Sequence, residues 1–156
     1  MIELDADLVD RDPQDGSRWL DLTESELRYD HFLGDIRFRV GEADFSTHWG
    51  WVPVLDFALG ICHLLDAIGE HGASAFEFTE SESTLRLSRD GNELTVSADY
   101  APGVGTTTIL EARAAASRFA RSLGARLTGM YPALRHNQNF SGPLEAVGFV
   151  LPSRRR

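Results

Sequence analysis

Apolar residues are densest between positions 54 and 68, where Val54, Leu55, Phe57, Ala58, Leu59, Ile61, Cys62, Leu64, Leu65, Ala67 and Ile68 wrap most of a helical cylinder. Asp56, Gly60, His63 and Glu70 fall at helical spacing and share one narrow stripe. A helix that is apolar nearly all round is a core helix or a membrane span. A span needs about 20 apolar residues in a row, and Asp56, His63 and Asp66 interrupt this run. A core helix is therefore predicted over about 52–69. Pro53 suits its first turn, and Gly69 and Gly72 supply the stop.

Elsewhere the period is two. IELDADL (2–8) alternates as a half-buried strand, and DRDPQDGSR (10–18) is a polar turn cluster. Trp19, Leu20 and Leu22 return to the core, and Thr23 to Glu26 reads as a short helical turn or a loop. Leu27, Tyr29 and His31 alternate with Arg28, Asp30 and Phe32, which predicts another strand, with Gly34-Asp35 as its turn. Ile36, Phe38 and Val40 share one face of a clearer strand, and a loop over 41–51 leads to the central helix. Beyond that helix, SAFEFT (74–79) and the runs starting at Leu85 and Leu94 predict three strands, the last two joined as a hairpin by Asp90-Gly91-Asn92. Leu85, Leu87, Leu94, Val96, Ala98 and Tyr100 face inward, while Glu77, Arg86, Ser88, Thr95, Ser97 and Asp99 face outward. One buried face and one wet face mark an antiparallel sheet in a layered fold.

Thr108 and Glu111 have capping-box spacing and open a second helix over about 107–130. Ala112, Ala115, Ala116, Phe119, Leu123, Leu127 and Met130 form its core stripe, with Arg118, Arg121, Ser122 and Arg126 on the wet side. The tail from about 133 to 156 is expected to dock as an edge strand or a short helix, its last residues disordered. The fold class that follows is α+β with two layers, an antiparallel β-sheet packed on a long central helix and a second helix, in a single domain over 1–156.

Composition narrows the function. The net charge of −9 argues against general binding to a nucleic-acid backbone and favours a basic protein partner. The single cysteine excludes an internal disulfide and a cysteine-rich zinc site. No charged segment precedes an apolar one at the N-terminus, so a cytoplasmic protein without a signal peptide and without a membrane association is expected.

Few residues suggest chemistry. Asp56 and His63 stand about 10 Å apart along a helix, too far to share a metal, so they read as the outer edge of a packed helix. Cys62 reads as a packing residue, and no nucleophile elbow is present. Asp44, His48, Trp49 and Trp51 form a candidate pocket, for a small molecule or for general-base chemistry, but the two rings read first as a plug over the core that staples the helix entry, and next as a partner surface. The turn GVGTTT (103–108) lacks the lysine of a phosphate loop. Arg118, Arg121 and Arg126 make a small basic patch, most simply a salt-bridge lattice. The polar sheet face, carrying Glu77, Arg86, Glu93, Thr95 and Asp99, is the candidate partner surface. No catalytic residue, cofactor or metal is expected.

The strings HWGWVPVLDFALG, FEFTESES, LRLSRDGNELTVSADYAPG and YPALRHN resemble a family of small actinobacterial proteins of unknown function. Its members share a V-P-V-L-D-F-A-L helix, an F-x-F-T-E-S segment, a hairpin ending in Y-A-P-G and a helix ending in Y-P-A-L. The resemblance spans roughly residues 36–137 and implies no activity. By analogy of size, acidity and build alone, the chain is similar to immunity proteins, which block a co-encoded toxin. The expected function is a non-enzymatic, immunity-like inhibitor of a basic partner. The alternatives are a small-molecule binder or enzyme near His48, Trp49 and Trp51, and a homodimeric or larger structural protein.

Overall fold

The computed structural model describes residues 1–8, 18–79 and 81–148. Among these residues, two antiparallel sheets and four α-helices make an α+β fold. In the first sheet, β2 (Leu33–Val40) pairs along its length with β1 (Ile2–Leu8). Its other edge takes two short strands, β3 (Ala43–Asp44) and β4 (Val52–Pro53). The second sheet runs β5 (Ala73–Glu77), β6 (Thr84–Asp90), β7 (Glu93–Ala98), β8 (Gly105–Thr108) in spatial order. Asp90 pairs with Glu93, so Gly91-Asn92 closes the expected hairpin.

The central helix, α2 (Val54–Ala67), lies against β2, β4 and β5 and beside α3 (Ile109–Met130), which covers β1, β7 and β8. Val54, Leu55, Phe57, Ala58, Leu59, Ile61, Cys62 and Leu65 of α2 are all buried. They meet Ile36, Phe38, Val40, Leu85, Leu87, Leu94 and Val96 from the sheets in one continuous apolar cluster. Each Val, Leu, Ile or Phe side chain among them stabilises the fold by roughly 1.5–3 kcal/mol through removal from water. No helix among the described residues is long and apolar enough to cross a membrane.

The sequence order suggested one sheet, and the strands instead divide in two at a seam between β2 and β8. Gly105 fixes how close the halves come. A Cβ there would lie 2.5 Å from the Val40 carbonyl oxygen and 2.6 Å from its Cβ. Backbone cannot yield as a flexible side chain does. Gly105→Ala is expected to cost about 1–3 kcal/mol by overpacking, read as a lower urea midpoint with an unchanged slope.

Three local expectations fail for physical reasons. The strand expected around Leu27, Tyr29 and His31 is a helix, α1 (Glu24–Tyr29). A capping box decides it: Thr23 Oγ1 accepts from the Glu26 N–H at 3.2 Å, and Glu26 Oε1 accepts from the Thr23 N–H at 3.1 Å. The chain then reverses through Phe32, whose φ of 58° is left-handed. That conformation costs about 1–2 kcal/mol in an L-residue. It is held by burial of the ring against Trp19, Tyr131 and Phe140. Gly34-Asp35 is no turn but part of β2, where the Asp7 carbonyl oxygen occupies the space a Cβ on Gly34 would need. Leu20, expected in the core, is 47% exposed, while Trp19 and Leu22 are buried.

The tail docks as far as it is described. A 3-10 segment (Pro132–His136) leads into α4 (Gln138–Ala146), which packs on α1 and α3. Buried Asn137 donates from Nδ2 to the carbonyls of Trp19 (2.8 Å) and Leu22 (3.0 Å), tying the tail to the N-terminal segment. The turn expected at 10–18 falls outside the described residues except for Arg18, and the expected disorder at the C-terminus falls outside them too.

Candidate functional site

Register places the five residues of the candidate partner surface on one face. Leu85, Leu87, Leu94 and Val96 point to the helices, so their strand neighbours point away. Glu77 pairs with Thr84, Arg86 with Ser97, and Ser88 with Thr95 across the outer face. Glu77, Arg86, Glu93 and Asp99 are exposed and Thr95 is half-buried. Ser88 and Asp90 on the same face are exposed as well, so this side is open to solvent across β5, β6 and β7. Asp99 is positioned by the backbone, its Oδ1 accepting from the Thr84 N–H at 2.8 Å. Asp90, on the same face, pairs with His71 at 3.0 Å. Four carboxylates (Glu77, Asp90, Glu93 and Asp99) therefore accompany one arginine, Arg86, on this face.

The outer face of the first sheet is a lattice of both charges. Glu3, Asp5 and Asp7 of β1 stand on the outer face opposite Arg39, Arg37 and Asp35 of β2. Arg37 reaches Asp5 at 2.9 Å, Asp7 at 3.0 Å and Glu3 at 3.8 Å. These exposed pairs are each worth about 0–1 kcal/mol. Alternation in IELDADL and IRFRV showed each strand's charged face, but not that the two strands pair.

The candidate pocket of Asp44, His48, Trp49 and Trp51 does not form as one site. Asp44 and His48 line an open, charged cavity of about 370 Å³ together with Asp7, Asp35, Arg37 and Arg39. The loop then turns where Asp35 Oδ1 accepts from Thr47 Oγ1 and from the Gly50 N–H, both at 2.9 Å. Trp49 and Trp51 stack on each other at 5.0 Å away from that cavity. Trp49 also stands edge-on to Phe78 and Tyr100, each at 5.3 Å. The rings thus close the end of the aromatic core. The Tyr100 hydroxyl donates to the Phe45 carbonyl at 2.7 Å, and burial pushes its pKa well above the usual tyrosine range.

Hydrogen bonds from the Ser46 hydroxyl and the Ser46 N–H (2.9 Å) hold the Asp44 carboxyl below its ordinary 3.8, with Arg39 adding a smaller pull. A depressed carboxylate stabilises the fold above its unfolded pKa. That contribution is lost as pH falls through the lower folded value, so it is confined to acid conditions. Among the described residues, no group of three or more His, Cys, Asp and Glu side chains could hold a metal ion.

The remaining candidates have structural employment. Asp56 is not at an outer edge. It is only 7% exposed and accepts from Arg28 Nε at 2.8 Å and Nη2 at 2.7 Å through the same oxygen. His63 and Glu70 are exposed and share nothing with it. Thr107, Thr108 and Glu111 knit the start of α3 together, so its N-terminus already faces a carboxylate. Arg118 and Arg121 are exposed, but Arg126 leaves the supposed basic patch to bond the Ala6 carbonyl at 2.8 Å and Asp5 at 3.0 Å.

Cys62 is buried with its sulfur 3.5 Å from the Ala116 carbonyl, and burial, then Asp66, pushes its pKa up to about 11. Nucleophilic thiolate is therefore scarce at neutral pH. Folded protein at pH 8 is expected to react with a disulfide reagent at least about a hundredfold more slowly than denatured protein, a contrast that stopped-flow absorbance reads. No protein-family model matches the chain, and no curated protein or solved structure matches it significantly.

Proposed function

We propose that this chain is a non-enzymatic protein-binding module, an immunity-like inhibitor that docks a basic partner protein on the outer face of β5, β6 and β7. The observation that carries the reading is the open face itself, on which Glu77, Asp90, Glu93 and Asp99 outnumber Arg86. Such a field steers a basic partner and disfavours nucleic acid. Asp44 and His48 stand apart from Trp49 and Trp51, and Asp56 and Cys62 serve pairing and packing, which favours binding over catalysis.

The test is association at varied ionic strength with a partner captured at low salt. Affinity should fall steeply with added salt. Neutralising three carboxylates (Glu77→Gln, Glu93→Gln, Asp99→Asn) should weaken binding by about tenfold or more, chiefly through slower association. A salt-indifferent complex, or one lost instead on replacing Arg118 and Arg121, would exclude this docking face.

A further inference from the structure

Strand β5 ends the second sheet, and its free side is identifiable from the hydrogen bonds around it. The Arg89 N–H donates to Gly72 at 2.9 Å and the Phe78 N–H to Ser83 at 3.1 Å. Gly72 and Phe78 flank β5 in register with Arg89 and Ser83, so the even-numbered residues between them face β6. Ala73, Ala75 and Glu77 therefore turn their N–H and C=O groups to the open side. Among the described residues nothing pairs with them.

The edges at β1 and β8 are guarded. At β1, Arg126 occupies the Ala6 carbonyl, Asp5 accepts from the Ala6 N–H at 2.8 Å, and α3 packs alongside. At β8, Val40 closes on Gly105. Proteins usually protect an edge with lysine, proline, a bulge or a covering element. The β5 edge instead presents the small, exposed side chains of Ala73 and Ala75.

Its surroundings are predominantly acidic, although the exposed Arg86 stands across from Ala75 on β6. Positions 40–85 contain eight Asp and Glu residues and no Lys or Arg. Glu70, Glu77 and Glu82 are exposed before, within and after the strand. A second copy of this chain would bring the same negative charge to the edge.

We propose that β5 is a strand-addition site for an extended basic segment of the partner protein. This rests on the reading above that the partner is basic. Main-chain bonds to Ala73, Ala75 and Glu77 would supply affinity, and cationic side chains on alternate positions would meet the acidic surround.

The probe is a labelled peptide of about ten residues alternating Arg and Val, long enough for one strand. It is titrated at low salt into the full chain and into Ala75→Pro. Proline is tolerated where an edge N–H faces solvent, so β6 pairing should persist in the circular dichroism spectrum while a donor to the added strand is lost. Binding to the wild-type chain should weaken about tenfold or more in the variant. Should the variant fail to fold, peptides N-methylated at alternate positions replace it: one register should lose binding and the other keep it. Salt-sensitive binding indifferent to both changes would overturn strand addition and leave the acidic docking face standing. Absence of binding at low salt would overturn both. Self-association abolished by Ala75→Pro, without peptide binding, would assign the edge to a second copy and overturn the proposal.

Discussion

Phe57→Ala is expected to lower stability by about 3–5 kcal/mol, the usual cost of emptying a fully buried aromatic site. Phe57 is 0% exposed, and its ring meets Phe38 at 6.5 Å, Phe76 at 5.1 Å, Phe78 at 5.9 Å and Phe119 at 6.3 Å. Those partners come from both sheets and from α3, so the cavity would sit where every layer converges. Rings held on four sides have little room to collapse into it. For a chain this long the melting temperature should fall by roughly 10 °C. Calorimetry reads the change directly, and a fall of only a degree or two would mean that α2 is not the common support of both sheets.

Arg28→Ala should be the next most damaging change. It leaves the Asp56 carboxylate, 7% exposed, without the guanidinium that reaches it at 2.7 Å. An orphaned, nearly buried charge costs about 3 kcal/mol, most of it desolvation no longer offset. The start of α2 supplies part of the compensation, since Asp56 lies in its first turn. The diagnostic result is the double variant. Arg28→Ala with Asp56→Asn should be more stable than Arg28→Ala alone, because the second change removes the unpaired charge. Equal stability in urea titrations would show that Arg28 acts through packing of its stem instead.

These two side chains show what the sequence could and could not reveal. The apolar run around Phe57 has one reading at helical period, and the structure keeps it as α2. The outer face of β5, β6 and β7 was legible for the same reason: strict alternation on both sides of Gly91-Asn92 leaves no choice of face once one side is buried. Asp56, in contrast, has a partner 28 positions earlier, and no local pattern announces a pair of that separation. Arg126 with Asp5, and Asn137 with Trp19, are longer-range cases.

The misreading around Leu27 and His31 has a different cause. Alternation over five residues competed with the Thr23 and Glu26 capping signal, and the cap prevailed because it satisfies two backbone groups at once. His48 and Trp49 are chain neighbours, and sequence proximity alone suggests one site. The bonds from Thr47 and Gly50 to Asp35 turn the loop between them, so one lines a charged cavity and the other closes the aromatic core.

Carboxyl footprinting by mass spectrometry tests the docking face most directly, since it labels each acidic side chain in proportion to its access to water. In the free chain Glu77, Glu93 and Asp99 should label rapidly and Asp56 slowly. On addition of the captured basic partner, labelling of those three should drop several-fold while Asp30 and Asp66 stay unchanged. If the three are already shielded in the free chain, or remain fully reactive in the complex, the acidic face of β5, β6 and β7 is not where the partner sits.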